Sequence, residues 1–276
     1  MFGGLLLLAA LLVFGSIVDK KRAQPVAQNK DNHRHDFDID KYLQDAQEQL
    51  PVYQANYITG LQNNVSRGDV KEQQIKAYTS LANFWKDSVH NHEAYVFYST
   101  QAAKLVNSEK YLTFAARQIL EEFRTEADPA KRGWKAAQAI SLYEKAIEIN
   151  PSNDSLKVEL ASCYVFGKGM AGDANETMKG IQQLLQVVKR DSVNMQAQMV
   201  LGIGGVISTQ YDKAIERLAT VVQYEPGNLE AISWLADAYA GKGDRVNAMK
   251  WYEISKRLVN NPQYSKEVDE RIKLLK

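Results

Sequence analysis

The feature that most limits the possible folds is a residue pattern that occurs twice between Met195 and Asn261. The two copies begin at Met195 and Leu229, 34 residues apart. Each copy contains two stretches in which apolar residues recur at the three- and four-residue spacing of an amphipathic helix. A hairpin of two such helices leaves one apolar face uncovered, so several hairpins must stack to bury it. The pattern therefore predicts an all-α chain of stacked antiparallel helix hairpins.

Residue size within each copy is also typical of packed helices. Positions 8 and 20 hold glycine or alanine, which lets the two helices of one hairpin approach closely. These small residues are Gly202 and Ala214 in the first copy and Ala236 and Ala248 in the second. Larger apolar residues at positions 7, 11 and 24 fill the space between hairpins. They are Leu201 and Leu218, then Leu235, Tyr239 and Tyr252.

This spacing resembles the signature of the tetratricopeptide repeat family. The resemblance implies a right-handed solenoid of antiparallel helix hairpins that binds protein partners. Looser copies extend the pattern over residues 75–262 and give about five repeats. Two of these contain additional residues between their helices, around Asp128, Pro129 and Gly133 and in residues 167–175. The turn-forming Asp, Pro and Gly of the first stretch and the glycines of the second predict two long interhelix loops.

The two ends of the repeat array differ from its middle. Residues 37–70 contain two helical stretches broken at Pro51 and fit the repeat poorly, so they are predicted to form a divergent N-terminal hairpin. On its second helix, Tyr53 and Tyr57 begin an apolar stripe at helical spacing. Residues 263–276 are predicted to form a C-terminal capping helix, which closes the apolar end of a solenoid.

An apolar segment without charge, residues 2–18, precedes the basic residues Lys20, Lys21 and Arg22. As a helix it would be about 26 Å long, slightly shorter than a hydrocarbon core of ~30 Å. A cleaved signal peptide is the alternative, but no basic region precedes the segment and no clear small-x-small cleavage site follows it. We therefore predict a transmembrane anchor over residues 1–22, with a polar linker over residues 23–36.

The sequence is compatible with repeats on either side of the membrane. The basic residues lie after the apolar segment, and the positive-inside rule then places the repeats in the cytoplasm. Resemblance to anchored tetratricopeptide repeat proteins implies instead a single-pass protein of the bacterial inner membrane with a periplasmic domain. We expect the periplasmic orientation and keep the cytoplasmic one as the alternative.

No motif in the sequence indicates catalysis, a cofactor or a metal ion. The net charge of +1 does not favour nucleic acid as a partner. Cys163 is the one cysteine, so an internal disulfide is excluded. The pairs His33 with His35 and His90 with His92 lack the third and fourth ligands of a metal site. We therefore predict a protein that is not an enzyme.

Two glycine-rich stretches superficially resemble nucleotide-binding loops. Residues 202–205 lie inside a predicted helix with no strand before them, so they are predicted to serve helix packing. Residues 167–169 lack the flanking glycine and the serine or threonine of a phosphate-binding loop. Neither stretch predicts a cofactor site.

The concave face of the repeats is the predicted site for a partner. Members of the family bind ligands through positions 2, 5, 9, 12 and 13 of the first helix of each hairpin. The partner-binding residues predicted by this correspondence are Val158, Ser162, Val165, Phe166, Met199, Ile203, Val206, Ile207, Ser233 and Asp237. The family's carboxylate clamp of Lys, Asn and Arg is absent, and Asn83 alone matches it. A mainly apolar groove suits a hydrophobic peptide or helix.

Two functions of different kinds follow. In the first, the chain is a membrane-tethered scaffold or adaptor that binds a peptide or helix of a partner protein in its apolar groove. In the second, it is a structural module that self-associates or packs on a membrane complex. Its groove is then filled by its own N-terminal hairpin or last helix.

Overall fold

The computed structural model describes residues 37–67, 70–170 and 172–275. All the secondary structure in these ranges is helical, so the predicted all-α fold is confirmed. Within the same ranges, no helix combines the length and apolar character that crossing a membrane requires. The predicted anchor and linker, residues 1–36, lie outside the described residues.

The helices of the described residues follow one another with short connections. In chain order they are α1 (Ile39–Glu48), α2 (Val52–Arg67), α3 (Lys71–Asp87), α4 (His92–Val106), α5 (Glu109–Arg124), α6 (Pro129–Ile149), α7 (Asp154–Ser162), α8 (Ala174–Arg190), α9 (Met195–Ile207), α10 (Tyr211–Tyr224), α11 (Leu229–Lys242), α12 (Arg245–Val259) and α13 (Pro262–Leu275). A π-helix, Cys163–Gly169, continues α7 directly. Helices α3 and α4, α5 and α6, α9 and α10, and α11 and α12 pack as antiparallel hairpins.

Short polar side chains explain where many of these helices begin. At each start the side-chain oxygen of an Asp, Asn or Ser accepts hydrogen bonds from backbone N–H groups of the first turn, which have no partner inside the helix. The capping residues are Asp38, Asn91, Ser108, Asp128, Asn153, Asn194, Asn228 and Asp244. Local sequence therefore sets the helix boundaries before any packing is considered.

The chain forms two compact units, an N-terminal unit that ends at Thr177 and a C-terminal unit that begins at Met178. In the N-terminal unit, the predicted divergent hairpin is α1 and α2, separated at Pro51. Helix α2 buries Ile58 in a cluster with Leu81 and Trp85 of α3 and apolar residues of α4. The divergent hairpin is thus part of the same apolar core as the first repeat.

The predicted long loop around Gly133 is wrong. Helix α6 already begins at Pro129, so Gly133 lies inside the helix. Asp128 accepts hydrogen bonds from the backbone N–H groups of Ala130 at 2.8 Å and Lys131 at 3.2 Å. Proline suits the first helical position because its missing N–H would have no partner there. The additional residues of this repeat therefore lengthen a helix instead of forming a loop.

The predicted glycine-rich loop over residues 167–175 is also wrong. The π-helix extends to Gly169 and α8 begins at Ala174, so five of the nine residues of the predicted loop lie in helices. A Cβ atom on Gly167 would overlap the Cβ of Ala136 in α6. A Cβ on Gly169 would overlap the side chain of Thr177. These glycines permit close packing of helices, which a sequence pattern does not distinguish from flexibility.

In the C-terminal unit the small residues lie where the helices cross, as the repeat pattern predicts. A Cβ on Gly202 would lie 2.6 Å from Cγ of Leu218 in α10, and one on Gly205 would lie 3.1 Å from Cβ of Ala214. The interpretation of residues 202–205 as a helix-packing stretch is therefore confirmed. At the end of the unit, α13 buries Tyr264 and its apolar neighbours against α11 and α12, which is the position of a capping helix.

Candidate functional site

Most of the side chains predicted to line the groove are buried within this chain. The buried residues of this set are Val158, Ser162, Val165, Phe166, Ile203 and Ser233. Those that are partly exposed are Met199, Val206, Ile207 and Asp237. The expectation of an open groove is corrected at Ile203, which is 2% exposed. The physical reason is that α9 is apolar on nearly every side, as is typical of a buried helix.

At the last repeat, the predicted groove residues contact the chain's own capping helix. The Ser233 and Tyr264 hydroxyls form a hydrogen bond of 3.2 Å, and Nη1 of Arg271 donates to Oδ1 of Asp237 at 2.8 Å. Tyr252 donates a further hydrogen bond to Asp237. Burial raises the pKa of Asp237, and the charge of Arg271 and these hydrogen bonds partly offset that rise. Helix α13 thus already provides the partners for these two groove residues.

An open cleft of about 720 Å³ lies between α2 and α3 in the N-terminal unit. Its lining residues are Tyr53, Gln54, Tyr57, Ser80, Asn83, Phe84, Asp87 and Ser88. We call it the α2–α3 cleft. A cavity of this size fits several side chains of a peptide, within the ~300–1,000 Å³ typical of ligand sites.

The direction of the α2 side chains explains why the cleft is aromatic. Helix α2 buries Ile58 against α3. Tyr53 and Tyr57 lie one turn apart, beside this contact, and remain 72% and 51% exposed. The ring centroids of Tyr57 and Phe84 are 5.4 Å apart, with the planes tilted by 48°. The apolar stripe predicted on this helix therefore lines an open surface at its two tyrosines.

The polar groups of the cleft suit recognition of a peptide. The side-chain amide of Asn83 can donate to a peptide carbonyl and accept from a peptide N–H. The tyrosines offer large apolar faces with few rotatable bonds, together with a hydroxyl group. The sequence identified Asn83 as a match to the family's clamp and Tyr53 and Tyr57 as part of an apolar stripe, but it assigned neither tyrosine to a site. The missed signal was the poor fit of residues 37–70 to the repeat, because a divergent hairpin need not cover the face beside it.

A separate network of buried and partly buried charged groups joins α1, α4, α6 and the segment between α5 and α6. Glu93, near the start of α4, lies 3.2 Å from Nζ of Lys131 and 3.4 Å from Nζ of Lys135. The hydroxyl of Tyr42 donates to Glu93 at 3.0 Å. Nζ of Lys135 also lies 2.8 Å from Glu126. Because these groups satisfy one another below the surface, the network is suited to holding the helices together.

The network makes a prediction about acid stability. Burial alone would raise the pKa of Glu93, but Lys135 and hydrogen bonds from its own backbone N–H, Tyr42 and Lys131 outweigh burial and hold this pKa at about 2, below its usual 4.5. A carboxylate with a lowered folded-state pKa stabilises the fold fully above its unfolded pKa, and this contribution is lost as pH falls towards the folded value. We expect wild-type protein to lose this part of its stability between pH 4.5 and 2. Glu93→Gln should lack that step when thermal midpoints are measured across this range.

Among the described residues, no group of three or more His, Cys, Asp or Glu side chains is arranged to hold a metal ion. His90 and His92 lie at the turn between α3 and α4. His92 forms an ion pair with Glu122 at 2.8 Å when its ring is protonated. The pair His33 and His35 lies outside the described residues.

Comparison with known proteins gives one match to a family and several to solved structures. The sequence profile described as tetratricopeptide repeat matches residues 207–266. No curated protein matches the chain significantly. The residues that match the tetratricopeptide repeat profile include α10, α11 and α12, where the repeat pattern is clearest in the sequence.

The comparison with solved structures gives the following three among its matches. MamA protein is 17% identical, with 68% of this chain and 92% of that chain covered and a TM-score of 0.44. YrrB, a TPR protein with an unusual peptide-binding site, is 16% identical, with 73% and 98% covered and a TM-score of 0.44. A tetratricopeptide repeat protein from Parabacteroides merdae is 14% identical, with 84% and 97% covered and a TM-score of 0.37. Since these TM-scores are below 0.5, no property of those proteins is transferred to this chain.

The hairpins, the small residues at their crossings and the family profile over residues 207–266 agree with one another. Residues 207–266 of this chain are thus similar to tetratricopeptide repeats, and the described helices on either side of them also pack as hairpins.

Proposed function

We propose that this chain is a protein–protein interaction module that binds a peptide segment of a partner protein in the α2–α3 cleft. The observation that carries the proposal is the exposure of Tyr53 and Tyr57 beside an open cleft. Exposed aromatic residues in a concave site are the groups that most often contribute strongly to protein binding. The predicted groove offers less surface, since only Met199, Val206, Ile207 and Asp237 are partly exposed there.

A structural role with an internally filled groove is the second candidate. It is supported by two contacts of α13, the hydrogen bond between the hydroxyls of Tyr264 and Ser233 and the one that Arg271 donates to Asp237. These contacts concern the C-terminal unit, whereas the α2–α3 cleft belongs to the N-terminal unit. The proposed division of labour is therefore an N-terminal unit that binds a peptide and a C-terminal unit whose last helix closes the array.

The binding proposal is tested with a random peptide library displayed on phage and the full chain held in a mild detergent. Peptides selected by the wild-type chain should bind the double variant Tyr53→Ser, Tyr57→Ser at least about tenfold more weakly, because the variant loses the aromatic contact area. The matched control replaces two exposed apolar residues of the C-terminal unit, Val246→Ser and Leu274→Ser. Equal recovery of the peptides by both double variants would reject the cleft as the site.

Membrane tethering is part of the same proposal. The uncharged apolar segment 2–18, followed by Asp19 and then Lys20, Lys21 and Arg22, supports a single-pass membrane anchor. We place this anchor in the bacterial inner membrane with the repeats in the periplasm, the opposite of the cytoplasmic orientation that the positive-inside rule favours. The full chain should remain in the membrane pellet after an alkaline wash, and a chain lacking residues 1–22 should be in the supernatant. Recovery of the full chain in the supernatant would contradict the anchor. Digestion of the repeats by protease added to spheroplasts distinguishes the periplasmic from the cytoplasmic orientation.

A further inference from the structure

The charges around the α2–α3 cleft indicate which kind of peptide it binds, an inference that rests on the proposed function. Asp87 is the one acidic residue among the eight that line the cleft, and no lysine, arginine or histidine lines it. The side chain of Asp87 is exposed and forms no ion pair with any residue the structure describes. The cleft therefore presents a single negative charge that nothing in the described chain neutralises.

The position of Asp87 makes this charge unfavourable for the free protein. Asp87 is the last residue of α3, where the unpaired backbone carbonyls carry the partial negative charge of the helix dipole. The negative charge of an acidic side chain at this end is repelled by the helix dipole. A positively charged group is attracted both by the dipole and by the carboxylate of Asp87. The neighbouring Lys86 is directed to α4, with its Nζ 4.9 Å from the centroid of the Tyr95 ring. The end of α3 is thus suited to a cation supplied by another molecule.

The aromatic side chains of the cleft favour the same kind of group. Tyr53 and Tyr57 expose their rings at the cleft. Phe84 supports the ring of Tyr57 from α3. The face of an aromatic ring attracts a lysine or arginine cation held within about 6 Å of its centroid. A purely apolar peptide would instead cover the carboxylate of Asp87 and leave it without a partner, which is costly.

We propose that the partner of the α2–α3 cleft is a peptide that carries an arginine or lysine side chain. Its cation lies over the rings of Tyr53 and Tyr57 and pairs with the carboxylate of Asp87. Asn83 forms hydrogen bonds with the peptide backbone beside it. Recognition is by a charged side chain in an aromatic cleft, and differs from the apolar groove expected from the sequence.

The test uses the peptides selected from the phage library by the full chain. Basic residues should be enriched among them, and one such peptide is synthesised with arginine and with citrulline, its neutral analogue. The wild-type chain should bind the arginine form about fivefold or more tightly than the citrulline form, with a preference that weakens at high salt. The variant Asp87→Asn should lose most of this preference. The control Asp45→Asn, an exposed acid of α1 outside the cleft, should keep it.

Three other outcomes separate the inference from the proposed function. In the first, peptide binding depends on Tyr53 and Tyr57 while the arginine and citrulline peptides bind equally well. That result rejects the cationic partner and keeps the cleft as the binding site. Equal loss of the preference in Asp87→Asn and Asp45→Asn would also reject pairing with Asp87. If no selected peptide depends on the two tyrosines, both the inference and the proposed function are rejected.

Discussion

Replacing Lys135 by methionine is expected to lower the free energy of unfolding by about 3–5 kcal/mol, since it leaves Glu126 without its cation and removes one of the two cations beside the buried Glu93. The Lys135 side chain is 4% exposed and its Nζ lies within 4.0 Å of carboxylate oxygens of Glu93, Glu122 and Glu126. Lys131 remains beside Glu93 in the variant, but in the structure it forms no ion pair with Glu122 or Glu126. Denaturation by urea, followed by circular dichroism, measures the change.

The matched control for this variant is Lys110→Met on α5. Lys110 is exposed, so its replacement should change the free energy of unfolding by less than about 0.5 kcal/mol. A loss in Lys135→Met no larger than that of the control would show that the network does not stabilise the N-terminal unit. The result matters for the site because α1, which this network ties to α4 through Tyr42 and Glu93, begins the hairpin that carries Tyr53 and Tyr57.

Replacing Gly167 by alanine is expected to destabilise the chain by about 1–3 kcal/mol or more, because the new methyl group has no space. Its Cβ would overlap Cβ of Ala136 and lie 3.3 Å from the ring of Phe123. The Cβ of an alanine cannot rotate away, so relief requires a shift of α6 relative to the π-helix. The shift should appear as a lower unfolding midpoint in urea.

The same substitution at Gly60 provides the control. Gly60 lies inside α2, and a Cβ there would meet no atom within 4 Å. Gly60→Ala should therefore stabilise the chain by about 0.5–1 kcal/mol, since alanine restricts the unfolded chain more than glycine does. Opposite signs for the two variants are the expected result. If Gly167→Ala also stabilised the chain, the packing of the π-helix against α6 would be refuted.

Local sequence was sufficient to predict the helices and most of their pairing. The small residues Gly202, Ala214, Ala236 and Ala248 recur at constant spacing, and the structure buries all of them in the hairpins. Predictions failed where a glycine had two physical interpretations. Gly133 and Gly167 were assigned to loops, yet both lie in helices. Because glycine has no side chain, it can either make the backbone flexible or allow a neighbouring helix to pack closely. Which of the two applies depends on whether a helix lies beside the glycine in the folded chain.

The candidate site could be predicted only in part. Asn83 and the stripe of Tyr53 and Tyr57 were identified from the sequence, but their common cleft was not. Whether a side chain is exposed depends on which helix lies over it, and that helix can be distant in the sequence. Asp237 illustrates this, since Arg271, its partner at 2.8 Å, belongs to the final helix.

The sequence by itself determined that this chain is a series of helix hairpins, because residue spacing within one helix specifies which of its sides must be buried. Only the tertiary structure decided which of those sides remain open. It covers Ile203 and Ser233, and it leaves Tyr53 and Tyr57 exposed. The reason is that periodicity describes one helix at a time, whereas exposure depends on contacts between helices far apart in the chain.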